Sequence, residues 1–317
     1  MAKPGLGAAP VLGGAALLVA LMLGGALAWR HHAQQAPAAE PIAVMAPVVV
    51  QQAAPVEIAA FTADQLQAEV SNGDWQVHRL AGNAAVLVIE FPTLTAQGEA
   101  LNRAAALIEK KAGSRSAVLS DAQLREVIRA AGDSAATFYF GHDYTAADLA
   151  RFYSLAEGQG TALNASETRL RQLLQDAGLL SRSATGWRGA DPGALVSFPA
   201  VQGNDPRTSR DESVDPARRA SVMRHELSHG RYFTDPAYRE HCAFFWRSLL
   251  REDERELWRR YLASQGYDRG NEDLMINETQ ALLMHTPDGR DFSAKELRLG
   301  DAELEGLRDR FRLGWGG

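Results

Sequence analysis

The sequence predicts an α+β fold that is mostly helical, and three observations carry that expectation. Between Trp75 and Phe91 two short runs rich in β-branched residues flank Ala81-Gly82-Asn83, which is the pattern of a hairpin. From Asp215 onward almost every segment has a helix start signal and helical spacing of its apolar residues. Between these halves runs a polar stretch, Gly203–Val214, with turn formers and no apolar period, read as an exposed loop.

Taken in order, Thr62 is placed to cap a short helix reaching Val70, and Asn72-Gly73 marks a turn. Trp75–Leu80 and Ala84–Phe91 are the expected strands. A helix is predicted from Thr95 to about Lys111, with Leu101, Ala105 and Ile108 on one face, and another from Ser120 to about Ala131. Thr137–Tyr144 is aromatic enough to predict a strand. Thr145, with Asp148 three residues later, forms a capping box for a helix over Ala146–Ala156. A helix over Ser166–Ala177 should end at Gly178, and Ala194–Pro199 is a short extended segment. The order of elements across Leu170–Phe198 also has the outline of a winged helix. Five helices follow, over Pro216–His229, Pro236–Leu250, Glu252–Gln265, Asn271–His285 and about Ala302–Phe311.

The ends and the composition set the context. From Val11 to Trp29 the chain has 19 residues without a charge, long enough at about 1.5 Å per residue to cross a bilayer core. Ala26-Leu27-Ala28 offers a signal-peptidase site, so residues 1–30 are expected to be a transmembrane anchor or a cleaved signal. Pro37, Pro41, Pro47 and Pro55 make residues 31–60 an extended linker. Beyond it we expect an N-terminal α+β lobe over 61–202 and a helical lobe over 203–317. The 317 residues hold 33 Lys+Arg against 39 Asp+Glu, a net charge of −6, with 46% hydrophobic residues and one Cys. Collagen, bulk disorder and a disulfide scaffold are excluded. No nucleic-acid partner is expected, because no basic field exists to hold a polyanion. Cys242, in an aromatic run, reads as a small buried hydrophobe.

The chemistry lies in His225-Glu226-Leu227-Ser228-His229, inside a helix opened by Asp215-Pro216. Two His four residues apart differ by about 40° around a helix and about 6 Å along it, so both rings can reach one metal ion. Glu226 is turned by about 100° from His225, out of the ligand set but near a bound water, where a general base must sit. A catalytic zinc needs a third protein ligand. Glu278 lies on an otherwise mostly apolar stripe with Leu274, Ala281, Leu282 and His285, a costly place for a carboxylate unless it meets a cation or several donors. Asp235 competes, six residues after His229, although Asp235-Pro236 also reads as a helix cap; Glu252, Glu254 and His241 are further alternatives.

H-E-L-S-H followed, 49 positions after His229, by Glu278 within Asn277-Glu278-Thr279-Gln280-Ala281 resembles the gluzincin group of zinc metallopeptidases, of which thermolysin is a familiar member. The resemblance covers about Asp215 to His285. It implies a zincin-like, two-lobed metallopeptidase domain behind the N-terminal transmembrane segment, with one Zn2+ held by His225, His229 and Glu278 and water activated by Glu226. It departs at Leu282, where the thermolysin pattern has an Asp that orients a ligating His. Candidates for supporting the oxyanion are Tyr232, His285, His142 and Tyr144. A substrate backbone could add to Ala194–Pro199 or to Thr137–Tyr144. The expected function is hydrolysis of peptide bonds in a peptide or protein substrate, outside the cytoplasm, in the cell envelope and at the membrane that residues 11–29 engage. Were the segment cleaved, the body would be periplasmic or secreted. Rival expectations are hydrolysis of cell-wall peptide cross-links, and a membrane-tethered binding module with a structural or vestigial zinc.

Overall fold

Strand β3 (Asn83–Phe91) carries NAAVLVIEF, and its last six residues are all buried, as a strand covered on both faces requires. A computed structural model of the chain describes residues 57–109, 116–208, 210–313 and 315. The apolar run 11–29 and the linker as far as residue 56 lie outside the described residues. No helix among the described residues is long and apolar enough to cross a membrane.

The architecture is α+β and mostly helical, around a mixed five-stranded sheet of order β1-β2-β3-β7-β4. β1 (Ala60–Phe61) runs parallel to β2 (Gln76–Leu80), which forms the expected hairpin with β3. β7 (Ala194–Pro199) lies parallel to β3, and β4 (His142–Thr145) closes the sheet antiparallel to β7. The two-residue period of the strands sorts their side chains between two cores. Leu87, Ile89, Phe91, Leu195 and Tyr144 face helices α2 (Leu94–Ile108) and α4 (Ala146–Gly158). Val86, Val88, Val196 and Phe198 face helix α6 (Pro216–Thr234). Gly230 permits the close approach of α6, since a Cβ there would stand 2.9 Å from Val86 Cγ1.

Short helix α1 (Ala63–Ala68) starts at Thr62 through a capping box with Gln65. Helix α3 (Asp121–Ala130) is capped at Ser120 as expected, and helix α5 (Ala165–Asp176) at Asn164 with Glu167. The C-terminal helices are α7 (Pro236–Phe244), α8 (Glu252–Ser264), α9 (Glu272–His285) and α10 (Asp301–Arg312). They enclose a third core in which Trp246, Trp258 and Phe311 are buried, and Cys242 lies in that core as a hydrophobe. A buried pair fastens α6 to the sheet: Arg219 donates to both oxygens of Glu90, at 3.0 and 2.6 Å, and to the carbonyls of Leu66 and Gln67.

Several expectations need correction. The strand over Thr137–Tyr144 shrinks to His142–Thr145, because Ser134 and Thr137 hydrogen-bond each other's backbone and side chains and hold the preceding residues in a turn. The helix expected from Thr95 starts at Leu94, capped by Thr93. α6 continues to Thr234, one turn beyond His229. The helix expected over Pro236–Leu250 changes at Phe245 into a single π-helical turn, Phe245–Leu249. The winged-helix outline dissolves: strands β5 (Leu180–Ser183) and β6 (Gly186–Gly189) pair only with each other, and β7 leaves them for the main sheet.

Candidate metal centre

Asp215 accepts from the Arg218 N–H and Pro216 occupies the first turn, so α6 begins where its sequence signals it should. One turn apart on its surface, His225 and His229 bring their Nε2 atoms to 3.0 Å from each other. Helix α9 packs across α6 and carries Glu278, 3% exposed, to the same point. Its Oε2 lies 3.9 Å from His225 Nε2 and 4.0 Å from His229 Nε2. Donors bound to one ion at about 2.0–2.2 Å stand no more than about 4.3 Å apart. All three spacings satisfy that limit, and His225, His229 and Glu278 form a group that could hold a metal ion.

The hydrogen bonds around the group agree with this. Thr286, just past the end of α9, donates its hydroxyl proton to the Ala281 carbonyl at 3.0 Å. That hydroxyl can then only accept from His225 Nδ1, 2.8 Å away, which leaves His225 Nε2 unprotonated and free to coordinate. Burial pushes the His225 pKa well below its ordinary value, reinforced by His229 and His285. Burial likewise brings His229 down to about 4, with the Asn277 side chain opposing. Both rings are therefore neutral, as metal binding requires. Around them stand three carboxylates, the buried Glu226 and Glu278 and the half-buried Asp143, an arrangement that a divalent cation would neutralise.

Glu226 is 5% exposed, and its Oε2 is buried without a hydrogen-bond partner. Its carboxylate rests against Gly141, where a Cβ would come 2.0 Å from Oε1. Burial holds its pKa well above the carboxylate range, and Asp143, Glu278 and Glu109 raise it further. Asp143 itself is pushed up to about 7, by burial first and Asp148 second.

The two helices are locked together beside the site by a buried polar chain. Gln280 donates to Ser228 Oγ at 3.1 Å, and Ser228 donates to the His225 carbonyl at 2.6 Å. Tyr238 donates to Gln280 Oε1 at 2.7 Å and accepts from His285 Nε2 at 3.0 Å. Thr286, on the side of His225 away from the metal group, takes up an orienting role that Leu282 cannot.

A cleft of about 1180 Å³ opens over the group, floored by His225, Glu226 and Glu278. One wall is Phe138–Gly141, leading into β4; the other includes Tyr261 and Tyr267. Of the two strands expected to receive a substrate backbone, β7 is paired on both sides, whereas β4 is the edge of the sheet. None of the four oxyanion candidates lines this cleft. Tyr232 is in the C-terminal core and donates to Asp273 at 2.6 Å. His285 is engaged by Tyr238. His142 and Tyr144 face the α2 and α4 side of the sheet, and bond each other at 2.9 Å. Tyr267, which the sequence reading missed, does line it; burial and the carboxylates Glu278, Glu109, Asp143 and Glu226 hold its phenol well above the ordinary range.

The competing third ligands are employed elsewhere. Asp235 caps α7 by accepting from the Tyr238 N–H at 3.1 Å, and Glu252 pairs with Arg255 and Arg259. Glu254 pairs with Arg310, and His241 donates to the Phe311 carbonyl at 2.7 Å. Comparison with protein-family models, with curated proteins and with solved structures finds no match for this chain.

Proposed function

We propose that the chain is a zinc-dependent metallopeptidase of zincin-like architecture, with His225, His229 and Glu278 as ligands and Glu226 as general base. The observation that carries the reading is the Glu226 carboxylate. It is buried on the floor of an open cleft beside a three-donor metal group, yet outside that group. A purely structural zinc needs neither the base nor the cleft. The sheet with an antiparallel edge strand, the helix bearing both His packed on it and the second helix bearing the Glu ligand support the zincin reading.

A zinc ion at this position would polarise a scissile carbonyl and make a water easier to deprotonate. Glu226 takes a proton from the attacking water and delivers it to the leaving amine, a role favoured by a pKa that burial and the neighbouring carboxylates hold above its ordinary value. Gly141 lets its carboxylate lie against the backbone of the cleft wall. Tyr267 is the donor we assign to the developing oxyanion, since its phenol stays protonated. The edge of β4 is the backbone to which an extended peptide would add. Placement outside the cytoplasm rests on residues 11–29.

The test is cleavage of a mixed peptide library by the zinc-loaded protein, with Glu226→Gln as control. The variant should keep wild-type zinc content and lose activity by about 10²–10⁴-fold. Equal cleavage by both would contradict the mechanism.

A further inference from the structure

A second acidic side chain enters the same centre from the sheet. Asp143 pairs in register with Val196, so it shares the face covered by α6, whereas its neighbours His142 and Tyr144 face the other way. Its Oδ2 lies 3.7 Å from Nε2 of His229, the nitrogen turned towards His225 and Glu278, and so on the metal side of the ring. No Lys or Arg among the described residues forms an ion pair with it.

Asp143 is not a fourth ligand in this arrangement. It groups with Glu226 and His229 within 4.8 Å, but no four of these side chains bring donor atoms within that distance of one another. Ligands of one ion must stand closer than that. It borders the centre on the side of Glu226, whose Oε2 is buried and without a partner.

Resting on the peptidase reading above, we infer that Asp143 is a second catalytic carboxylate, which accepts a hydrogen bond from the attacking water while Glu226 removes that water's other proton. A water has two O–H donors, and two carboxylates fix its orientation where one leaves it free to rotate. Glu226 gains the proton that leaves, the oxygen forms the new bond to the carbonyl carbon, and the hydrogen facing Asp143 stays on that oxygen. No bond to Asp143 forms or breaks.

The experiment uses the full-length chain loaded with cobalt in place of zinc, as wild type, Asp143→Asn and Asp143→Ser, with folding checked by circular dichroism. Azide is titrated against the visible spectrum, and peptide cleavage is measured on the zinc form. Both variants should bind one cobalt with affinity within about threefold of wild type, and, titrated above pH 7 where Asp143 is ionised, azide about tenfold more tightly, because the negative charge beside the open position is gone. Cleavage should fall about 100-fold in kcat with KM little changed. Loss of cobalt affinity by more than tenfold in either folded variant would make Asp143 a ligand and overturn the inference. Unchanged azide affinity would place it away from the open position, and unchanged cleavage would remove its catalytic role. Should wild type cleave nothing, the peptidase reading fails on that arm, while the azide titration still decides whether Asp143 borders the open position.

Discussion

His225 Nδ1 and the Thr286 hydroxyl are joined at 2.8 Å in a bond whose direction is set from behind, because Thr286 spends its own proton on the Ala281 carbonyl. The ring of His225 is thereby held in the one tautomer that leaves Nε2 open. Thr286→Val keeps the branched shape at this buried position and removes only the oxygen. Zinc affinity, measured by competition with a chromophoric chelator, should fall about 10–100-fold, as for other groups that orient a ligating His. An unchanged affinity would mean that the tautomer is fixed some other way.

Gly141 bears on the base and not on the ligands. In Gly141→Ala the new methyl would meet the Glu226 carboxylate at 2.0 Å, so the carboxylate must move. The variant should keep one zinc per chain and lose at least about tenfold in kcat, since misplacing a base by about 1 Å is enough for such a loss. Paired zinc analysis and kinetics check this, and loss of zinc together with activity would show that the glycine serves the whole site.

The Arg219–Glu90 pair fastens the metal-bearing helix to the central strand while fully enclosed. Arg219→Met leaves Glu90 buried and unpaired, and should cost about 3–5 kcal/mol in urea unfolding. The double variant with Glu90→Leu should recover most of that loss. A single-variant cost under about 1 kcal/mol would assign α6 anchoring to packing alone.

Acid sensitivity has a specific source in His142, which burial lowers to about 3. Its folded pKa lies below the unfolded value of about 6.5, so only the unfolded chain binds the proton between those values. Stability is therefore complete above about pH 6.5 and is lost as pH falls towards 3. In metal-free protein, His142→Gln should reduce the stability lost between pH 6.5 and 4.5 by about 2 kcal/mol, read from urea midpoints at both pH values. An identical pH slope in both proteins would show that His142 does not contribute.

How much of this could be read beforehand follows from the range of each signal. His225, Glu226 and His229 lie within one helical turn, so their spacing alone determines how they diverge around the axis. Glu278 announced itself as a charge on an apolar stripe, a local anomaly with a physical cost. Asp143 gave no such sign, because an acid in an alternating His-Asp-Tyr-Thr strand reads as solvent-facing until pairing with Val196 shows which face is covered. Thr286 stands one residue beyond a helix and Tyr267 in a loop, where no periodicity applies. The aromatic run Phe138–Phe140 has strand propensity, but hydrogen bonds between Ser134 and Thr137 decide its conformation. His142 and Tyr144, expected at the oxyanion, share a strand with Asp143 but lie on its other face.

Glu278 joins the two histidines from a different helix, and zinc binding to wild type and Glu278→Gln measures its part as a ligand directly. Equilibrium titration against a competing chelator should give one zinc per wild-type chain, and an affinity weaker by about 100-fold or more in the variant, which keeps the shape of the side chain but loses its charge. Equal affinity in the two proteins, or a wild-type stoichiometry other than one, would contradict it.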